Sequence, residues 1–238
     1  LIDQQQEAAD RGKAYTADYM DKGIKRGKVT EDKKTAILSL ITATTDYQAL
    51  KGCDLIIEAV FEDPAVKAEV TKNVLDVVGD DCIFATNTST LPITELAKAS
   101  TKPENFIGIH FFSPVDKMPL VEIIMGEQTG DLALAKAFDF TKQIKKTPIV
   151  VNDSLGFFTS RTFGTYLDEG VRLLVEGMKP LRIDNLGKAV GMPVGPLTVY
   201  DEVSLELSRK ASQTWKEMGL SVGDDDRSIT AGVVETMV

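Results

Sequence analysis

The sequence predicts an α/β fold over the first 150 residues, with a parallel sheet, and an all-helical domain over residues 151–238. Short apolar runs alternate with helical patterns before residue 150, and this alternation indicates a parallel sheet with connecting helices. Several of the runs are continuous, which is typical of strands covered on both faces. After Val151 the helical patterns follow one another with no strand-like run between them. A chain of 238 residues is long enough for these two domains.

The predicted elements follow in chain order. A long helix covers residues 4–28, because its small and apolar residues are spaced for one buried stripe. Strands are predicted at residues 41–45, 55–60, 83–85, 106–111 and 120–125. Helices between them are predicted at 64–78 and 93–100, the first with Pro64 in its opening turn after Asp63. In the second domain, helices at 156–176 and 181–190 end at glycines, and a further one precedes Gly219.

Composition excludes several classes of protein. The formal net charge of −9 argues against a general nucleic-acid binder, which needs an excess of lysine and arginine. Cys53 and Cys82 have neither metal-ligand spacing nor a disulfide framework, so they are interpreted as reduced thiols. No apolar stretch approaches the roughly 18 residues of a membrane span, and the N-terminus has no signal-peptide pattern. The sequence therefore predicts a soluble intracellular protein without a transmembrane segment or a metal.

Polar residues follow the predicted strands where each strand ends. Ligands of an open parallel sheet bind outside the carboxyl ends of its strands. We therefore expect one cleft to be formed by Glu58, Glu62, Asn87, Thr88, Ser89 and His110.

His110 is the only histidine in the chain, and Glu122 follows it twelve residues later inside a second apolar run. A buried carboxylate is unfavourable unless a neighbouring group stabilises its charge. An imidazole could do so. The alternative for a lone histidine near a strand end is a hydrogen-bonded core residue.

A dinucleotide site of this kind requires a Gly-x-Gly turn after the first strand, and nowhere in this chain do two glycines stand two positions apart. Leu1-Ile2-Asp3 is similar to the end of a strand that closes with the ribose-binding acid. We therefore expect the first strand, glycine turn and first helix to lie upstream of Leu1. On this interpretation the N-terminal domain is truncated, and the chain by itself binds NAD weakly or not at all. The alternative is that Asp3 caps the helix that follows.

Five segments carry a family resemblance: "IIEAVFEDPAVKAEV", "IFATNTSTLPITELA", "IGIHFFSPVDKMPLVEII", "VVNDSLGFFTSR" and "VGMPVGPLTVYDEV". From Leu1 to about Arg209 the sequence resembles the L-3-hydroxyacyl-CoA dehydrogenase family. It is similar in particular to the dehydrogenase part of the multifunctional alpha chain of the fatty-acid β-oxidation complex. The resemblance implies a Rossmann-like NAD-binding domain and a helical domain that completes the acyl-CoA cleft and the dimer interface, with truncation at the C-terminus as well.

The resemblance also implies catalytic roles. His110 matches the general base that accepts the proton of the substrate 3-hydroxyl, and Glu122 matches its partner acid. Ser89 matches the serine that hydrogen-bonds the substrate oxygen, although a serine in such a turn is often only a local cap. Monofunctional members have asparagine where this chain has Ser113 and Ser160. Ser113 is thereby expected to bind substrate and Ser160 to be catalytic, with the shorter reach of a hydroxyl.

Five residues match cofactor contacts by the same resemblance: Asp3, Ala59, Glu62, Lys67 and Asn87. Glu62 and Lys67 are expected near the ribose and nicotinamide, and Asn87 beside the nicotinamide. For Glu62 and Lys67 the alternative is a helix-start acid and a solvated lysine. Glutamines rather than an arginine follow Asp3, which favours NAD over NADP.

The family further implies NAD-dependent oxidation of L-3-hydroxyacyl-CoA to 3-ketoacyl-CoA in fatty-acid β-oxidation. The expected partners are an acyl-CoA substrate and a second copy in a homodimer, or a thiolase in a fatty-acid oxidation complex. The location would be cytoplasmic in a bacterium and the mitochondrial matrix in a eukaryote. Two other interpretations are a non-catalytic structural relative without a complete cofactor site and a dehydrogenase of free β-hydroxyacids. The second is disfavoured because those enzymes typically use a catalytic lysine.

Overall fold

The computed structural model describes residues 1–79, 81–217, 219, 232–233 and 236. The chain divides into two compact units. One consists of Leu1–Leu55 with Glu69–Cys82, and the other of Ile56–Ala68 with Ile83–Val238. The domain boundary near residue 150 stays a prediction, and much of the end of the predicted helical domain lies outside the described residues.

The first unit contains the long helix that the sequence predicts, α1 (Gln6–Lys25), and a second helix, α2 (Glu31–Ser39). Thr30 starts α2 by accepting a hydrogen bond from the Lys33 amide. The predicted strand at 41–45 is wrong, because only an isolated bridge pairs Ile2 with Thr44. The Thr44 hydroxyl accepts a hydrogen bond from the Asp46 amide, and this local turn competes with a longer strand ladder.

The second unit is built on a five-stranded sheet whose spatial order follows the sequence. Its strands are β1 (Leu55–Glu58), β2 (Ile83–Thr86), β3 (Phe106–Phe111), β4 (Leu120–Met125) and β5 (Thr147–Asn152). β2 pairs with β3 and β4 with β5 in parallel, whereas β3 and β4 are antiparallel. The predicted α/β class with a mostly parallel sheet is confirmed, and the pairing of β3 with β4 is the antiparallel part of that sheet. The connection between them, residues 112–119, is too short for a crossover helix.

The described residues contain seven further α-helices: α3 (Pro64–Leu75), α4 (Ile93–Ala97), α5 (Asp131–Gln143), α6 (Thr159–Val175), α7 (Pro180–Ala189), α8 (Pro196–Glu202) and α9 (Leu205–Glu217). Two short 3₁₀ helices cover Tyr47–Leu50 and Pro103–Asn105. The sequence did not predict α2, α5, α8 or β5. Leu167, Val171 and Tyr200 form a buried core between α6 and α8. Asp184 in α7 accepts a hydrogen bond from the Leu197 amide and so caps the start of α8.

Gly108 allows β3 to pack tightly two positions before His110. A Cβ atom at this position would lie 2.7 Å from Cδ1 of Ile93 and 2.9 Å from Cβ of Ile124. Since both neighbours are fully buried, no larger residue fits there without displacing them. Glycine thereby keeps the strand that carries His110 close to β4 and α4.

Among the helices of the described residues, none is both long enough and apolar enough to cross a membrane.

Candidate active site

His110 and Glu122 lie directly opposite each other in the antiparallel pairing of β3 with β4. The side chains meet with Nδ1 of His110 3.1 Å from Oε2 of Glu122. His110 is 6% exposed and Glu122 is fully buried. The antiparallel register of β3 and β4 therefore places the two residues side by side.

The Glu122 carboxylate is held at both oxygens. Oε1 accepts hydrogen bonds from the amides of Phe158 and Thr159, each at 3.0 Å. Oε2 accepts a hydrogen bond from the Thr159 hydroxyl at 2.6 Å in addition to its contact with His110. Burial by itself raises the pKa of Glu122, but these hydrogen bonds, led by that of His110, outweigh it and hold the pKa below its usual value. Glu122 is therefore ionised near neutral pH, so that Nδ1 of His110 must be the donor.

A left-handed turn aims the two amides at Glu122. Gly156 and Phe157 have φ values of +67° and +50°, and they precede Phe158, the N-cap residue of α6. A bulky residue rarely adopts such a φ, and strain of this kind is concentrated at functional sites. Successive left- and right-handed residues form a concave nest of amides that binds anions, and Glu122 supplies the anion here.

Two phenylalanines flank the imidazole. The ring centroid of Phe112 lies 4.5 Å from that of His110, and the centroid of Phe157 lies 6.2 Å away. Phe157 is buried. Since these apolar rings keep water from part of the site, the hydrogen bond between the imidazole and the Glu122 carboxylate is stronger than it would be in solvent.

A second polar cluster lies at the carboxyl end of β1. Nζ of Lys67 is 2.8 Å from Oε1 of Glu58 and 3.4 Å from Oε2 of Glu62. The side chains of Lys67 and Glu58 are 2% and 1% exposed. The alternative that Lys67 is a solvated lysine is therefore wrong. Glu58 Oε2 also accepts a hydrogen bond from the Thr86 hydroxyl at 2.8 Å, which joins β1 to β2.

Glu62 organises the turn that contains Ser89. Its Oε1 accepts hydrogen bonds from the Thr88 hydroxyl at 2.6 Å, the Ser89 amide at 3.0 Å and the Thr90 amide at 3.1 Å. Burial by itself raises the pKa of Glu62, but the hydrogen bond from Thr88 and the charge of Lys67 outweigh burial and hold the pKa below its usual value. Within the part of the chain that the structure describes, the Ser89 hydroxyl makes no hydrogen bond.

Asn87 connects the two clusters. The backbone amide of Asn87 donates a hydrogen bond to the backbone carbonyl of Glu58 at 2.7 Å. Its side-chain oxygen accepts a hydrogen bond from the backbone amide of Phe111 at 2.9 Å. Phe111 is the residue after His110. The ends of β1, β2 and β3 are thus joined by Asn87, and the polar residues predicted for one cleft lie at one edge of the sheet.

The remaining predicted site residues are placed less centrally. Ser160 is half-buried at the start of α6, and the residue of this segment that contacts Glu122 is its neighbour Thr159. Ser113 and Ala59 are exposed in the loops after β3 and β1. Asp3 belongs to the first unit.

The alternative that Asp3 caps α1 is wrong. The N-cap residue of α1 is Gln5, and Asp3 Oδ1 accepts instead from the adjacent Gln4 amide at 2.7 Å. The roles assigned to Ser160, Ser113, Ala59 and Asp3 stay predictions.

Sequence reasoning did not identify Thr159, and it did not anticipate that Lys67 is buried. The signal for Lys67 was present in Glu58, a carboxylate in an apolar strand that needs a cation. For Thr159 no sequence signal exists, because its position depends on the unusual backbone of Phe157.

A groove of about 550 Å³ lies beside the start of α6. Its walls come from the edge strand β5 and from the turn before α6, and Phe157 belongs both to this wall and to the surroundings of His110. It is lined by Val150, Val151, Asn152, Ser154, Phe157, Phe158, Arg161 and Thr162.

A mostly parallel sheet with polar residues gathered at its strand ends, followed by a helical region, is typical of dinucleotide-binding enzymes. Residues 1–154 match the family model of the 3-hydroxyacyl-CoA dehydrogenase NAD binding domain, and residues 156–238 match that of the 3-hydroxyacyl-CoA dehydrogenase C-terminal domain. The chain belongs to the 3-hydroxyacyl-CoA dehydrogenase family, a family of NAD-dependent oxidoreductases. The family and cofactor inferred from the sequence are confirmed.

Curated relatives and solved structures agree with this assignment. The chain is 44% identical over 207 residues to the fatty acid oxidation complex subunit alpha of Shewanella halifaxensis, covering 87% of this chain and 29% of that protein. The crystal structure of (S)-3-hydroxybutyryl-CoA dehydrogenase from Ralstonia eutropha superposes with a TM-score of 0.90 at 34% identity, over 99% of this chain and 83% of that one. The crystal structure of 3-hydroxybutyryl-CoA dehydrogenase from Escherichia coli superposes with a TM-score of 0.86 at 28% identity, over 93% of this chain and 48% of that one. The chain thus spans less than a third of the length of the curated relative.

Proposed function

We propose that this chain forms the dehydrogenase part of an enzyme that oxidises L-3-hydroxyacyl-CoA to 3-ketoacyl-CoA with NAD. The observation that carries the proposal is the contact between His110 and Glu122 at the strand ends of an NAD-binding family domain. A neutral imidazole oriented by a buried carboxylate is suited to accept a proton from an alcohol.

His110 performs the proton transfer. Nδ1 donates its hydrogen to Glu122, which leaves Nε2 as the acceptor, and Nε2 makes no hydrogen bond to any described residue. The hydroxyl proton of the substrate moves to Nε2 while the hydride departs from C3, and the electrons of the O–H bond form the carbonyl. NAD, when bound, would supply the acceptor of that hydride. Glu122 stabilises the imidazolium that results.

The Ser89 hydroxyl, positioned by the hydrogen bonds of Glu62, donates to the substrate oxygen and stabilises the charge that develops there. Ser113 and Ser160 extend this binding surface on the loop after β3 and on α6.

The residues at the ends of β1 and β2 fit the nicotinamide end of NAD. Ribose hydroxyls need acceptors, and Glu62 and Asn87 carry carboxylate and amide oxygens at this edge. The loop after β1 exposes Ala59, Val60 and Phe61, an apolar surface suited to a flat ring. Lys67 would hold Glu62 in place for the ribose, and Asp3 would accept hydrogen bonds from the adenosine ribose.

Membership in a fatty-acid oxidation complex extends the proposal and is supported by the names of the curated relatives. A thiolase partner or a homodimer belongs to the same proposal. Intracellular location is part of the same proposal.

The test is an activity assay on the protein that carries this chain. We expect NADH to form from (S)-3-hydroxybutyryl-CoA and NAD, with little from the R isomer. The variant His110→Gln is assayed beside the parent protein and should form NADH much more slowly. An intact protein that binds NAD but forms no NADH from (S)-3-hydroxyacyl-CoA of any chain length contradicts the proposal.

A further inference from the structure

We propose that Thr159 is a positioning residue that sets the basicity of His110 through Glu122, an inference that rests on the proposed function. The Thr159 hydroxyl and the His110 imidazole donate to the same oxygen, Oε2 of Glu122, at 2.6 Å and 3.1 Å. Two donors that share one carboxylate oxygen compete for its negative charge. The shorter contact is the one from Thr159, so His110 receives a weakened acceptor.

The same residue also fixes the orientation of the carboxylate. Three hydrogen bonds reach Glu122 from the start of α6: the Phe158 amide, the Thr159 amide and the Thr159 hydroxyl. Together they engage both carboxylate oxygens without any help from His110. Glu122 therefore stays in place while His110 gains and loses its proton.

Among the contacts that the structure describes for this pair, no further charged group appears. From β3, Glu122 meets His110 as its titratable neighbour, and from β5 the residue paired with it is Ile149. The start of α6 contributes amides and the Thr159 hydroxyl. The rings of Phe112 and Phe157 flank the imidazole. Among these described contacts the Thr159 hydroxyl is thus the neutral side-chain group that shares Oε2 of Glu122 with His110.

A variant without this hydroxyl should have a more basic histidine. In Thr159→Val, Oε2 of Glu122 loses a donor, attracts the Nδ1 hydrogen more strongly and stabilises the imidazolium. We expect the pKa of His110 to rise by about 0.5 to 1 unit. The acidic limb of the pH profile of kcat/KM should move to higher pH by a similar amount. A role confined to packing would change stability and leave both values where they are.

The experiment uses the fact that His110 is the only histidine in this chain. Histidine labelled with ¹⁵N, followed by NMR through a pH titration, reports its pKa and tautomer without any need for turnover; where the intact protein contains further histidines, the His110→Gln variant identifies the signal. Thr159→Val and Thr159→Ala remove the hydroxyl with different side-chain volumes, so that a folding failure in one leaves the other. Thr159→Ser keeps the hydroxyl and should match the parent. Thr165→Val is the control, because the Thr165 hydroxyl bonds only to the backbone of α6, at the carbonyl of Thr162.

An unchanged or lowered pKa of His110 in the variants without the hydroxyl overturns the proposal. So does a Thr159→Ser variant that behaves like Thr159→Val. A parent protein that does not oxidise the substrate refutes the proposed function, whatever the variants show. If the parent is active and the pKa of His110 does not move, the inference about Thr159 fails alone.

Discussion

The ammonium group of Lys67 lies 2.8 Å from the carboxylate of Glu58, and both side chains are almost completely removed from solvent. Glu62 approaches the same ammonium at 3.4 Å. Two carboxylates therefore depend on one cation at the end of β1, beside the expected cofactor position.

Replacement of Lys67 with methionine should destabilise the fold strongly, because Glu58 would remain buried without a cation. Removal of one partner of a buried pair costs about 3 to 5 kcal/mol. Urea unfolding followed by circular dichroism measures the loss. Lys98→Met is the control, since Lys98 pairs with Glu95 at the surface and should change stability little. Equal losses in the two variants would argue against a dependence of Glu58 on Lys67.

Replacement of His110 with glutamine should reduce kcat by about 10²- to 10⁴-fold, the usual range for the loss of a general base. The KM for NAD should change little, because the polar cluster at the end of β1 remains intact. Steady-state kinetics with (S)-3-hydroxybutyryl-CoA measures both values. Turnover near that of the parent would exclude His110 as the base.

Acid should weaken the fold in part through Glu122. The folded pKa of Glu122 lies below its reference value of 4.5, because hydrogen bonds from His110 and Thr159 outweigh burial. Such a group stabilises the fold above the unfolded pKa, and this contribution disappears as the pH falls through the folded pKa. Glu122→Gln should therefore be less stable than the parent at neutral pH and lose less stability below pH 4.5. Urea unfolding at a series of pH values tests this. Parallel curves for parent and variant would show that Glu122 does not contribute.

The enzyme should prefer NAD to NADP, and Asp3→Ser should reduce that preference, because the carboxylate of Asp3 repels a 2′-phosphate. The ratio of kcat/KM for the two cofactors is the measurement. Asp10→Ser on the exposed face of α1 is the control and should leave the ratio unchanged. A parent enzyme equally efficient with both cofactors would rule out this role for Asp3.

Much of the sheet could be predicted because its strands are short apolar runs that alternate with helical patterns. The predicted ranges of β3 and β4 agree with the structure, and α6 and α7 end near the glycines that mark them. β5 could not be predicted in the same way, since it begins Thr-Pro and ends in asparagine, a pattern tolerated on an edge strand. The antiparallel direction of β4 follows from the short connection, which the alternation of elements does not reveal.

For the site, sequence reasoning identified residues that carry chemistry and sit at strand ends. His110, Glu122, Glu62 and Asn87 all occur in the two connected clusters. Contacts that depend on an unusual backbone conformation could not be predicted from the sequence. Phe157, two residues before Thr159, has a positive φ, and a sequence pattern does not indicate such a backbone conformation.

The antiparallel register of β3 and β4 has a consequence for how this family tolerates insertions and deletions. Residues added to or removed from the loop at 112–119 change the spacing between histidine and glutamate but leave the two facing each other, because strand pairing rather than loop length aligns them. One residue added inside either strand would instead turn the following side chains to the other face of the sheet. Length variation in this hairpin should therefore be confined to its loop, where the chain can vary without separating the acid from the base.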